Sequence, residues 1–238
     1  MSEVTSYYDK FAEKQLKAGI NHRHLSIQRY MERFGLKKHH HVLEIGCGIG
    51  TQTELLLRYL HSTGQVAAYD LSPVSISYAQ RRLEKYNNVE LKAADIVSEK
   101  IDKKFDFILL PDVLEHIPIE AHKDLFSKLD ACLKDDGLLV IHIPHPDYIK
   151  WIEKNAPDQL QIIDQALYTH LILENLRQTN LKLDYLESYS IYMKPADYQL
   201  LVFKKHDTTQ YVPVEKLVND SFTRRMSKKM QYLLRGKK

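Results

Sequence analysis

Glu44, Gly46, Gly48, Gly50 and Asp70 are the residues of this 238-residue chain whose types and spacing most clearly carry a chemistry. Three glycines one residue apart, in Gly46-Cys47-Gly48-Ile49-Gly50, make a loop that turns sharply and lets a ligand reach the backbone without meeting a Cβ. Asp70 ends the next apolar run, 20 residues after Gly50, where an acid would grip a ribose diol. The spacing departs from the G-x-G-x-x-G pattern that seats a pyrophosphate on a helix N-terminus. Glu44 departs further, because a carboxylate inside the strand repels a pyrophosphate and suits a ligand carrying an ammonium. The ligand expected is a nucleoside without phosphate.

A second set of residues could move a proton. His116 lies in Pro111-Asp112-Val113-Leu114-Glu115-His116-Ile117-Pro118, and His145 in His142-Ile143-Pro144-His145-Pro146-Asp147. An imidazole left to itself titrates near ~6.5, which suits a general base. Three readings stand for Asp112, Glu115 and His116: hydrogen bonds that hold the loop, a base at His116, or a divalent ion held by all three. His145, one step beyond a strand, is the first candidate for a substrate-side base. His142 alternates with Ile141 and Ile143 and reads as buried. The triplet His39-His40-His41 reads as a solvated turn, since three adjacent histidines do not face one point.

The elements that must position these residues follow from apolar spacing. Residues 42–45 form a short buried strand, residues 51–60 a helix whose N-terminus carries free N–H groups, and residues 66–70 a second strand. Ser72-Pro73 starts another helix, with a hydroxyl cap and proline at the first helical position. Residues 89–95 read as a third strand and residues 105–112 as a strand buried on both faces. Leu125, Leu129 and Leu133 mark a covering helix. Residues 138–146 give a fifth strand, residues 160–176 a helix with an apolar stripe, and residues 181–193 and 197–205 a terminal hairpin joined by Lys194-Pro195-Ala196.

With these residues in place, the stretch Val42-Leu43-Glu44-Ile45-Gly46-Cys47-Gly48-Ile49-Gly50 resembles the first motif of the class I S-adenosylmethionine-dependent methyltransferases. Residues 111–118 are similar to the fourth motif of the quinone-biosynthesis and related small-molecule members. The resemblance implies an α/β fold: a Rossmann-like, seven-stranded, mostly parallel sheet with helices on both faces and an antiparallel C-terminal hairpin. It implies S-adenosyl-L-methionine as cofactor, held by Glu44, Gly46, Cys47, Gly48, Gly50, Thr51, Asp70, Leu71, Asp95, Ile96 and Pro111, with Tyr8 of the N-terminal segment closing over it. Asp95 would meet the adenine amino group and the Ile96 N–H the ring. The chain then divides into an N-terminal helical lid (1–40), a cofactor-binding core (41–146), a helical acceptor-pocket insertion (147–180), the hairpin (181–206) and a basic amphipathic tail (207–238). In the insertion, Tyr168, His170 and Arg177 are candidates to face the acceptor.

Composition bounds the rest. Cys47 and Cys132 are not placed for a disulfide, and no apolar run approaches the roughly 20 residues of a spanning helix, so a cytoplasmic enzyme is expected. Charge is uneven: residues 204–238 hold ten Lys or Arg against three acids. There Phe222, Met226, Met230 and Leu233 recur at helical spacing between basic residues, which suits peripheral membrane contact or a packed helix with a solvated face. No aromatic-interleaved basic face points to nucleic acid. The function expected is O-methylation of a small molecule, the tail suggesting a glycan or lipid-linked intermediate; no resident metal is assigned. The rival readings are a nucleotide-binding oxidoreductase, opposed by the glycine spacing, and a non-catalytic member of the fold that binds a partner through its tail.

Overall fold

In the computed structural model, described for Tyr7 and residues 15–206, seven strands form one sheet in the order β3-β2-β1-β4-β5-β7-β6. The strands are β1 (His41–Ile45), β2 (Gln65–Asp70), β3 (Val89–Ala93), β4 (Phe105–Pro111), β5 (Leu133–Pro144), β6 (Leu181–Tyr189) and β7 (Tyr198–Lys205). The first five pair in parallel, whereas β7 runs antiparallel to both β5 and β6. Tyr8 and the tail 207–238 lie outside the described residues, and so does the tail's expected membrane contact.

The helices are α1 (His22–Arg33), α2 (Thr51–Leu60), α3 (Pro73–Leu83), α4 (Ile119–Cys132), α5 (Pro146–Asn155) and α6 (Thr169–Asn175). Val42, Leu109 and Val140 pack with α1, α2 and α3 through Ile27, Met31, Leu57 and Leu83. Leu43, Ile108 and Ile141 pack with α4 and α6 through Leu125, Phe126, Leu129 and Ile172. Adjacent residues of one strand thus point into opposite cores, which explains why β1 and β4 read as unbroken apolar runs. Among the described residues no helix is long and apolar enough to cross a membrane.

Strand order reverses at β1, which lies between β2 and β4, so the loops after β1, β2 and β4 open on a common crevice at the carboxyl edge. Gly46 has φ 76°, and a Cβ there would lie 2.1 Å from Val113 Cγ2. Only glycine lets the first loop pass the tip of β4 this closely.

Two expectations are corrected. Residues 160–168 are not helical, and only Thr169–Asn175 forms a helix. The apolar stripe loses to tertiary bonds: Gln165 donates its backbone N–H and its Nε2 to Glu115 O, and Nε2 also to Ile117 O, drawing the segment out as a strap across the loop after β4. The hairpin connection is also longer than Lys194-Pro195-Ala196. Residues 190–197 form a loop folded around Asp197, whose buried carboxylate accepts the backbone N–H groups of Ile191, Tyr192 and Met193.

Candidate active site

The crevice encloses a cavity of about 500 Å³. Of the residues expected at the cofactor, Glu44, Gly46, Cys47, Gly48, Thr51, Asp70, Leu71, Asp95, Ile96 and Pro111 all line it. Gly50 does not. It caps α2 at φ 79°, where a Cβ would lie 3.0 Å from Leu83 and 3.2 Å from Ala79, so its role is close packing of α2 on α3.

Glu44 is fully buried. Thr53 Oγ1 donates to its Oε2 at 2.7 Å, while its Oε1 has no hydrogen-bond partner. Burial raises its pKa to about 7, the Thr53 bond offsetting only part of that. Gln52, in the first turn of α2, is 3% exposed, with both amide atoms unpartnered against the cavity. Buried polar atoms without partners cost stability in the free protein and mark where a ligand's polar end completes the wall. Asp70 holds the loop itself: its Oδ2 accepts the Gly48 N–H at 2.7 Å and its Oδ1 the Ser72 N–H at 2.9 Å. Asp95 is exposed and accepts the Val97 N–H, the capping role that is compatible with a ligand on its free side.

The opposite wall comes from elements distant in sequence. Asn21 caps α1 and places Arg23 and His24 at the cavity. Arg23 Nη1 donates to Asp112 Oδ2 at 2.5 Å, and His142 Nδ1–H donates to Asp112 Oδ1 at 2.7 Å. Tyr189 O–H then donates to His142 Nε2 at 2.8 Å and lies 3.1 Å from Ser26 Oγ. Asp112 sits at φ 57°, a conformation a non-glycine residue keeps only when its surroundings fix it. Burial alone would raise its pKa, but the charge of Arg23 and the bond from His142 hold it at about 2. Tyr198, stacked on His142 at 4.7 Å, also lines the cavity; burial and the Asp112 charge raise its pKa, so it stays a neutral phenol.

Neither histidine expected as a base is placed as one. His145 caps α5, its Nδ1 accepting the Asp147 N–H at 3.3 Å, and does not line the cavity. The proline that follows it fixes the start of α5 there rather than aiming the ring at the crevice. His116 does line the cavity, but its Nδ1–H donates to Ile163 O at 2.6 Å and faces Asp164 at 3.1 Å. Burial would lower its pKa; Glu115 and Asp164 instead carry it to about 9, so at neutral pH it is an imidazolium. His24 fails as a base for the opposite reason, since burial and the Arg23 charge lower its pKa to about 4. Asp112, Glu115 and His116 do not gather as a metal-binding group among the described residues. Tyr168 donates to Asp147, and Tyr168, His170 and Arg177 all stand outside the cavity wall; from that insertion Gln161 lines it instead.

Residues 42–137 match the family model described as "Methyltransferase domain". Over that stretch the chain is similar to the methyltransferase domains which that model describes. Relatives of the chain include (S)-coclaurine N-methyltransferase of Thalictrum flavum subsp. glaucum, 30% identical over 51% of this chain and 34% of that protein. Another is malonyl-[acyl-carrier protein] O-methyltransferase of Acetivibrio thermocellus, 33% identical over 41% of this chain and 33% of that protein. The chain spans about a third of the length of these curated relatives. Among solved structures, an S-adenosylmethionine-dependent methyltransferase from Clostridium acetobutylicum superposes with a TM-score of 0.66 at 18% identity, covering 84% of this chain and 99% of that one. The N-methyltransferase NodS of Bradyrhizobium japonicum, in complex with S-adenosylhomocysteine, gives 0.64 at 17%, covering 84% and 100%. These likenesses show the same fold over more of the chain than residues 42–137. The polar groups in the cavity fit that fold's cofactor: an unpartnered carboxylate oxygen for an ammonium, a guanidinium for a carboxylate, and an acid at the tip of β2.

Proposed function

We propose that this chain is an S-adenosylmethionine-dependent methyltransferase whose acceptor is a small molecule that attacks the methyl group through nitrogen. The observation that carries the choice of atom is that neither His116 nor His24, the described histidines lining the cavity, is poised as a base. His116 is held protonated and His24 is held well below neutral pH. A hydroxyl needs a base to lose its proton, whereas an amine attacks through its own lone pair once neutral. The expectation of O-methylation leaned on His145 or His116, and it loses its support with them; the glycan or lipid-linked acceptor leaned on the tail alone. N-methyltransferases among the relatives accord with this reading.

When bound, the sulfonium supplies an electrophilic methyl group and a good leaving group. The chain's own residues do the rest by positioning, which is worth up to ~7–11 kcal/mol in such reactions. In this reading Glu44 takes the ammonium, Arg23 and Gln52 take the carboxylate end, Asp70 takes the ribose, and Asp95 and Ile96 take the adenine. Pro111, Asp112 and Tyr198 face the acceptor. The deciding experiment is calorimetric titration of the purified protein with S-adenosylhomocysteine and, separately, NAD. Micromolar binding of the first and none of the second is expected. Binding of NAD alone would return the chain to the oxidoreductases; binding of neither would favour a non-catalytic protein of this fold. For the acceptor, a panel of primary and secondary amines against phenols and alcohols is incubated with labelled cofactor. Transfer to the alcohols and phenols alone would overturn nitrogen as the acceptor.

Glu44 gives this reading a pH signature. Its folded-state pKa is raised to about 7, so the carboxyl is neutral below that pH and ionised above it. The stability this contributes is present at low pH and lost as pH rises through about 7. An ammonium ligand favours the ionised form, so binding releases a proton on the acid side. Affinity for S-adenosylhomocysteine should rise with pH between roughly 5 and 7, by up to about tenfold per unit, and then level off. In Glu44→Gln the slope should be flat and the affinity low throughout. A wild-type affinity independent of pH would show that Glu44 does not meet the ammonium.

A further inference from the structure

Helix α1 lines a second cavity, of about 480 Å³, with His22, Ser26, Arg29, Tyr30 and Arg33, and the end of β6 closes it at Tyr189. Positions 22, 26, 29 and 33 fall on one helical face, so two guanidinium groups and an imidazole are presented to one space. The strand side of that space is fixed. Tyr189 O–H bonds His142 and contacts Ser26, and its ring lies 5.3 Å from that of Tyr30. Among the described residues no carboxylate lines the cavity. Glu187 accepts from Tyr30 and Tyr185 and stands 3.7 Å from Arg33, which compensates that arginine in part. Arg29 has neither a hydrogen-bond nor an ion-pair partner among the described residues.

A concave space with aromatic sides, no acid among the described residues of its wall and an uncommitted guanidinium is complementary to a small oxyanion, which the planar fork of arginine binds through two parallel hydrogen bonds. We propose that this second cavity binds the phosphate or carboxylate group of a small molecule, with Arg29 as the principal cation and Arg33 in support. The site is distinct from the cavity at the glycine-rich loop and does not depend on the methyl-transfer reading.

The test is calorimetry on the full chain with sodium phosphate and with sodium succinate, ionic strength being held constant with sodium chloride. Binding of at least one anion at ~10 mM or tighter is expected, weakened about tenfold or more in Arg29→Glu. The control is Arg81→Glu, an exposed charge on α3 outside this cavity, which should bind as wild type does. Melting temperatures of both variants establish that they fold. Phosphate alone would mark a phosphoester ligand, succinate alone a carboxylate, and both a general oxyanion site; each supports the proposal. Absence of binding by either anion, or equal loss in Arg29→Glu and Arg81→Glu, would overturn it.

Discussion

Asp112→Leu is expected to cost about 3–5 kcal/mol of stability, the range found when one partner of a buried ion pair is removed. Three effects add in this position. Arg23 is left with a charge whose side chain is only 20% exposed, His142 Nδ1–H loses its acceptor in a fully buried ring, and leucine must adopt a φ of 57° that the native contacts had imposed. Asp112→Asn separates these effects. Asparagine tolerates the left-handed region and still accepts from His142, so only the charge is lost, and a smaller cost of about 1–2 kcal/mol should follow. Urea unfolding with an unchanged slope measures both. If leucine and asparagine cost the same, the charge of Arg23 alone would account for the effect. The network also has an acid limit. The depressed pKa of Asp112 contributes stability above the ordinary carboxylate range, and that contribution is lost as pH falls through about 2.

Asp70→Ala should weaken S-adenosylhomocysteine binding at least about tenfold, equivalent to ~1.4 kcal/mol, and this is a lower bound. The carboxylate is bonded to two backbone N–H groups, Gly48 in the first loop and Ser72 at the cap of α3. Its removal both loosens the loop and takes away the acceptor proposed for the ribose. Asp70→Asn retains the acceptor for Gly48 and loses the charge, so an intermediate affinity is expected. Calorimetry on the three proteins at one pH checks the order. Unchanged affinity in alanine would mean that the ribose is held elsewhere and that Asp70 is a loop anchor alone.

The placement of the glycine-rich loop, Glu44 and Asp70 at the crevice is legible in sequence because it depends on local spacing. A strand, a loop and a helix contiguous in the chain carry their own geometry wherever they are placed. Ser72-Pro73 was legible for the same reason, and α3 begins there. Gln52 carries a readable signal, its place in the first turn of a helix after such a loop. Gly50 matches the loop in spacing, while in the structure its missing Cβ serves the contact with α3.

Residues 160–168 illustrate the opposite limit. Their apolar spacing is helical, yet the Gln165 bonds to Glu115 and Ile117 win, since a strap bonded to two carbonyls of the loop after β4 is worth more than a weak intrinsic propensity.

The histidines mark the boundary between what sequence and tertiary structure decide. Sequence determined a strand, glycine-rich loop, helix and strand that resemble the first motif of the methyltransferases, because that information lies within 30 consecutive residues, 41–70. Only the tertiary structure decided that His116 is a cation, His24 a neutral cap, His145 a helix start and His142 the buried link between Asp112 and Tyr189. The same imidazole takes each of these roles according to its burial and the charges beside it. Those neighbours are brought together from α1, β4, β5 and β6 by folding, so no local pattern in the chain records them.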